Sequence, residues 1–248
     1  MGNASLIGLS RQMSLRRELD VVSNNVANIN TTGFKAGTAV FEEHIMPRAQ
    51  HGHFGHGDRK LSYVQDRATW HDLGQGPVRQ TGNPLDVAID GDAYLVVQTP
   101  NGDRYTRNGS MQINAAGQLV TSAGYPVMGE AGAIQFQPED KDVVISRDGT
   151  IAVPDGLRGR LRLVRFDNPQ FLKKDGSSTF AAPDDVVAQA AVNPNVIQGS
   201  LEQSNVRGVV EMARLIEVTR SYTQIATLLQ QHGDMRRSAI ERLAEVPV

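Results

Sequence analysis

Two stretches at opposite ends of the chain carry apolar residues at the period of helices that wind around other helices. Leu215, Val218, Tyr222, Ile225 and Leu229 recur at alternating steps of three and four, and Leu15, Leu19, Val22, Val26 and Ile29 do the same. The N-terminal stretch predicts one amphipathic helix over residues 1–30. Leu6, Leu9 and Met13 extend its apolar stripe, and Arg11, Arg16, Arg17, Glu18 and Asp20 occupy the other side. Asn28, Asn30, Thr31, Thr32 and Gly33 stop it, Gly33 being suited to a left-handed backbone at the helix end. At the far end, Ser204 or Asn205 is placed to cap a helix that runs from Val206 to about Glu245. Glu211/Arg214 and Glu217/Arg220 would pair along its solvent side, and Gly233 would weaken it. Each seam admits two readings, packing within the chain or against other chains.

From Gly76 to about Gln198 the pattern shifts to short β-rich runs punctuated by tight turns. Asp90-Gly91-Asp92 separates Leu85–Ile89 from Tyr94–Thr99, and Asn101-Gly102 joins the latter to Arg104–Thr106 as a hairpin. Ala115-Ala116-Gly117 lies between Met111–Ile113 and Leu119–Thr121, and Asp148-Gly149 between Val143–Ile145 and Ile151–Val153. Arg160–Phe166 reads as one more alternating strand, followed by a loop-rich return marked by Pro169, Pro183 and Pro194. Such a density of short strands predicts an all-β sandwich or a small barrel-like unit. Residues 36–75 read as irregular, a linker or binding strap. The expected fold class is α+β, with N- and C-terminal helices pairing into a coiled-coil-like domain and an all-β hairpin-rich domain between them. The expected boundaries are 1–35 for the first helix, 36–75 for the strap, 76–199 for the β domain and 200–248 for the last helix.

Composition narrows the function classes. A net charge of −2 from 25 basic and 27 acidic residues argues against a general nucleic-acid or membrane-surface binder. No apolar run approaches the roughly 20 residues that span a bilayer, and no cleaved secretory signal is readable in the first residues. The absence of cysteine removes disulfides, thiolate metal sites and a cysteine nucleophile.

The chain offers little chemistry. It has no Walker loop, dinucleotide glycine pattern, His-Glu-x-x-His or Gly-x-Ser-x-Gly. Asp86, Asp90 and Asp92 form the nearest thing to a carboxylate cluster, and Asp90 and Asp92, straddling Gly91, read as turn residues. His51, His53 and His56 sit in a glycine-rich run without the spacing of a helical zinc pair, which reads as a mobile or interface loop. No catalytic, cofactor or metal residue is assigned.

Asn24-Asn25-Val26-Ala27-Asn28-Ile29-Asn30-Thr31-Thr32-Gly33-Phe34-Lys35 resembles the N-terminal signature of the bacterial flagellar rod and hook proteins. Gly199-Ser200-Leu201-Glu202-Gln203-Ser204-Asn205-Val206, followed by Glu211-Met212, resembles the C-terminal signature of that family. Thr81–Ile89 and Tyr105–Ser110 match its β-domain blocks, and the block Gly124–Gly129 with Gly132–Ile134 is most like its proximal-rod members. The chain departs from the family at Ala93, where glycine is usual, and the histidine-rich run has no counterpart.

The resemblance implies export of the unfolded chain through the flagellar type III apparatus and assembly in the periplasm into a helical tube, terminal helices inside and the β domain outside. The implied partners are copies of the chain, proximal-rod neighbours and the distal-rod protein. An isolated amphipathic helix is marginal in water, so both termini are expected to order as neighbours bury their seams. On this reading Leu15, Leu19, Val22, Val26, Leu215, Val218, Tyr222, Ile225 and Leu229 form the core seams. Asn28, Thr31, Gly33 and Phe34 fix the exit from the first helix, and Ser204, Asn205 and Val206 start the last. The rivals are a distal-rod or hook subunit, and a periplasmic β-domain protein that binds or hydrolyses peptidoglycan.

Overall fold

The structure, a computed structural model, describes residues 3–46, 61–176 and 178–244. The histidine-rich run and the chain beyond Ala244 lie outside these residues. The described chain is α+β and divides into two compact units. Of the described residues, those up to Val26, those between Gly37 and Trp70 and those from Gly208 on form a helical unit, and those in Ala27–Ala36 and His71–Arg207 form a β unit.

In the helical unit, helix α1 spans Asn3–Ala27 and helix α2 spans Gly208–Ala244. The apolar seams supply their contact. Leu15, Val22 and Val218 are buried, with Leu19, Val26, Leu215, Tyr222, Ile225 and Leu229 partly covered. The helices come close enough that a Cβ on Gly8 would stand 2.6 Å from a Leu229 methyl. Arg214 reaches across to Glu18 (2.8 and 3.0 Å), and Glu211 accepts from Asn25 (3.2 Å). The expected Glu211/Arg214 pair along the solvent side is thereby overturned, because a charge on the other helix outcompetes the weak one-turn pairing. Three exposed threonines of α2 turn their hydroxyls back onto their own helix: Thr219 donates to the Leu215 carbonyl, Thr223 to Arg220 and Thr227 to Thr223. The helix also continues through Gly233 to Ala244.

The region expected to be irregular contains two strands, β1 (Gly37–Met46) and β2 (Leu61–His71), which pair with each other. A two-stranded ribbon takes its order from pairing, so it leaves little alternation in the sequence.

The β unit is built from short strands. In chain order they are β3 (Val78–Gln80), β4 (Val87–Asp90), β5 (Tyr94–Thr99), β6 (Gly102–Thr106), β7 (Met111–Ile113) and β8 (Leu119–Thr121). There follow β9 (Met128–Gly129), β10 (Gly132–Ala133), β11 (Val144–Ile145), β12 (Thr150–Val153), β13 (Gly156–Arg160) and β14 (Leu163–Arg165). The last are β15 (Lys173–Lys174), β16 (Thr179–Ala181), β17 (Gln189–Ala190), β18 (Asn195–Gln198) and β19 (Ser200–Glu202). A six-stranded sheet in the order β15-β16-β6-β5-β14-β17 runs through the middle, with two- and three-stranded ribbons around it. The β5–β6 hairpin closes at Gly102, whose φ of 98° a side chain would resist.

Strand β5 explains why a simple two-layer sandwich falls short. Leu95 and Val97 pack into a core with Val87, Ile89, Leu119 and Ile151. Tyr94 and Val96 pack into a second core with Val164, Phe166 and Phe180 on the opposite face of the sheet. A strand covered on both faces reads as an unbroken apolar run, as this one does. The strand expected over Arg160–Phe166 is two strands in different sheets. At Leu161 the chain leaves β13, its N–H donating to the Gly149 carbonyl, and Leu163 then pairs with Leu95. The expected loop-rich return holds β15 to β18, strands of two to four residues ordered by their partners.

Candidate functional site

The segments flanking the two helices meet inside the β unit around one carboxylate. Glu202, at the end of β19, is 1% exposed. Its Oε1 accepts from Lys35 Nζ (2.6 Å) and the Gly76 N–H (2.9 Å), and its Oε2 from Arg107 Nε (2.9 Å). Its main-chain oxygen accepts from the Gly33 N–H (2.9 Å). Lys35 makes a second bond to the Gly74 carbonyl (2.7 Å), and the Arg107 guanidinium also caps the carbonyls of Gly91, Ala93 and Ile89. Burial pushes the Lys35 ammonium below its ordinary pKa, and the Glu202 charge opposes that shift. Two cations share one anion in a dry site, an arrangement stable only while every partner is present.

Around this triad the backbone is packed without slack. Gly33 (φ 66°) lies against the main chain of Arg107 and Asn108, and a Cβ on Gly76 would run into the Gln203 carbonyl. Phe34 is 1% exposed, with Lys174 Nζ 3.7 Å above its ring. Burial draws Lys174 down to about 8, and burial together with Lys174 lowers His71. Tyr94, under the Arg107 guanidinium at 5.6 Å, is pushed up to about 12 by burial.

The connection residues named from the sequence fall at this junction, and two of their expected roles change. Helix α1 ends at Ala27, leaving Ile29 outside it, so Gly33 is not its C-terminal cap; its left-handed turn serves the contact with Asn108 and Glu202. Helix α2 begins at Gly208, so neither Ser204 nor Asn205 caps it. Asn205 instead accepts from the Ala36 N–H (2.8 Å) and donates to the carbonyls of Asp72 and Gly74. Ser204 is buried and its Oγ accepts from the Val206 N–H (3.3 Å). Asn28 and Thr31 form a local turn, Thr31 donating to the Asn28 Oδ1 (3.1 Å) and carbonyl (3.2 Å).

Lys35, Arg107 and Glu202 went unassigned in the sequence, although all three lie within the quoted signature blocks. A lysine and a glutamate 167 residues apart carry no local signal of pairing. Asn25 went unassigned as well. Buried in α1, it exchanges two hydrogen bonds with the Gly37 backbone (2.8 and 2.9 Å). Asp90 and Asp92 are both exposed; Asp92 lies in the bend after Gly91, whereas Asp90, expected in the turn, ends strand β4, pairs with Asn195 and accepts from its side chain.

Three family models match successive parts of the chain. "Flagella basal body rod protein" covers residues 6–35, "Flagellar hook protein FlgE/F/G D1 domain" covers 88–153, and "Flagellar basal body rod FlgEFG protein C-terminal" covers 197–242. A flagellar basal-body rod protein FlgF of Caulobacter vibrioides is 38% identical over 99% of this chain and 100% of its own length. The chain belongs to the flagellar basal-body rod protein family. A FlgF of Mesorhizobium japonicum is 34% identical over 98% of both chains, and the hook-basal body complex protein FlhP of Bacillus subtilis is 31% identical over 84% of this one. Each of the three matched spans of this rod-family chain contributes one charge of the buried triad: Lys35, Arg107 and Glu202.

Proposed function

We propose that the chain is a structural subunit of the proximal part of the flagellar rod, built into a helical tube through α1 and α2. The reading is carried by apolar surface that a chain similar end to end to a rod protein leaves uncovered. On α2, Val209, Met212 and Ile216 are 86, 52 and 62% exposed, and on α1, Leu9 and Met13 are 50 and 66% exposed. Such a face is a liability on a monomer and an asset where copies stack. A head-to-tail contact that does not close on itself buries it and propagates as a helix.

The partners on this reading are copies of the chain, the neighbouring proximal-rod proteins and the distal-rod protein. On this reading the type III apparatus delivers the chain to the periplasmic basal body, and a cysteine-free chain suits that route. The role is mechanical rather than catalytic. The partly covered seam residues Leu19, Val26, Leu215, Tyr222, Ile225 and Leu229 finish their burial against neighbours, which completes the ordering of the helices. Deleting the gene and imaging extracted basal bodies tests the reading. A rod that stops short, with no hook or filament, is the expected result, and complete flagella would refute it. Complementation with Ile225→Asp should fail to restore the rod while the β unit stays folded.

A further inference from the structure

Of the two stretches that make up the β unit, Ala27–Ala36 follows α1 and the end of His71–Arg207 leads into α2, and both of these connections are tied to the same residue. Glu202 holds the incoming connection through its main chain, by Gly33, and through its side chain, by Lys35. It belongs to the outgoing connection itself, three residues before Asn205, whose N–H donates to the Phe34 carbonyl (3.4 Å) and whose Oδ1 accepts from Ala36. We infer that Glu202 is a positioning residue that couples the two connections, so that residues 33–36 and 200–205 order as one event.

The charge count supports this. Without Glu202, Lys35 and Arg107 are two buried cations whose main remaining partners are carbonyls; without Lys35, the Glu202 Oε1 keeps only the Gly76 N–H. Breaking one member of a buried ionic group is far costlier than its net contribution when intact. The state with one connection docked and the other loose is therefore disfavoured relative to both the closed and the open state. The coupling is a property of the β unit and does not depend on the rod reading; its consequence for assembly rests on that reading.

Native-state hydrogen exchange on the full chain tests it, with a substitution in one connection and the readout in the other. In Lys35→Met, the amides of Gln203 and Asn205, which donate to Pro77 and Phe34, should exchange on the order of tenfold faster or more. In Glu202→Gln, Gly33 and Ala36 should do the same. The amides of Val96 and Gln98 in β5 should keep their protection in both variants. The double variant should be no looser than the weaker single one, the signature of a shared interaction. Unchanged exchange at Gln203 and Asn205 in Lys35→Met would overturn the coupling. So would additive losses in the double variant, or acceleration that extends equally to Val96 and Gln98.

Discussion

Replacing Gly33 by alanine separates the observed role of this residue from that of a simple helix terminator. Its φ of 66° costs an alanine about 1–2 kcal/mol. The new Cβ would also stand 2.6 Å from the Arg107 carbonyl carbon and 2.8 Å from Asn108 Cα, which are backbone atoms with no rotamer to move. Forcing such a contact apart costs a further ~1–3 kcal/mol. The shift strains the bond from the Gly33 N–H to Glu202, worth about 1 kcal/mol. The expected loss is therefore about 3–6 kcal/mol. Gly82→Ala is the control, because Gly82 has a φ of 77° with nothing within 4 Å of the added Cβ. It should lose only ~1–2 kcal/mol. At roughly 2–4 °C per kcal/mol for a chain this size, Gly33→Ala should melt several degrees below the control. Near-ultraviolet circular dichroism follows the melt, with Tyr94, Tyr105 and Tyr125 contributing from the β unit and Trp70 and Tyr222 from the helical one. Melting points for the two variants that agree within error would refute the packing argument and return Gly33 to the role of an isolated turn residue.

Two more predictions concern charge and burial. Lys174 is held near 8 when folded and titrates at 10.5 when free, so between those values the unfolded chain binds more protons and stability rises with pH. The penalty is complete below about pH 8, and Lys35, depressed by burial, acts in the same direction. Lys174→Met should flatten the rise in Tm measured from pH 7.5 to 9.5, and parallel curves for variant and parent would count against the assignment. Asn25→Ala should cost the helical unit about 2–4 kcal/mol, because it leaves the buried Gly37 N–H and carbonyl without their bonds to Asn25. Asn25→Asp should be at least as harmful, since it exchanges a donor for a charge facing Glu211; far-ultraviolet melts compare the two, and a parent-like Asn25→Asp would defeat the reading.

What was legible in the sequence was what depends on neighbours along the chain. Asn101-Gly102, Ala116-Gly117 and Asp148-Gly149 announce hairpins because a positive φ must be met locally, and each glycine adopts one. The heptad seams announce helix pairing because their period survives without a partner in view. Asn205 resembles a helix cap to any local rule, yet its side chain bonds Ala36, 169 residues earlier. Lys35 and Glu202 are each an ordinary surface residue in isolation. The break at Leu161 escaped for a related reason: Arg160–Phe166 keeps its alternation while its pairing partners change from β12 to β5. The seam positions themselves were plain in the sequence, whereas the crossing of Arg214 to Glu18 needed both helices in place.

The threonine row of α2 bears on how such a helix meets a neighbour. Because Thr219, Thr223 and Thr227 have already spent their hydroxyl protons on their own helix carbonyls, each presents a methyl group and an acceptor oxygen but no free donor. A neighbour can hydrogen-bond to these three side chains only by donating, and otherwise meets them through dispersion contacts with their methyl groups. Such a row therefore discriminates among facing surfaces by whether they bring a donor to it.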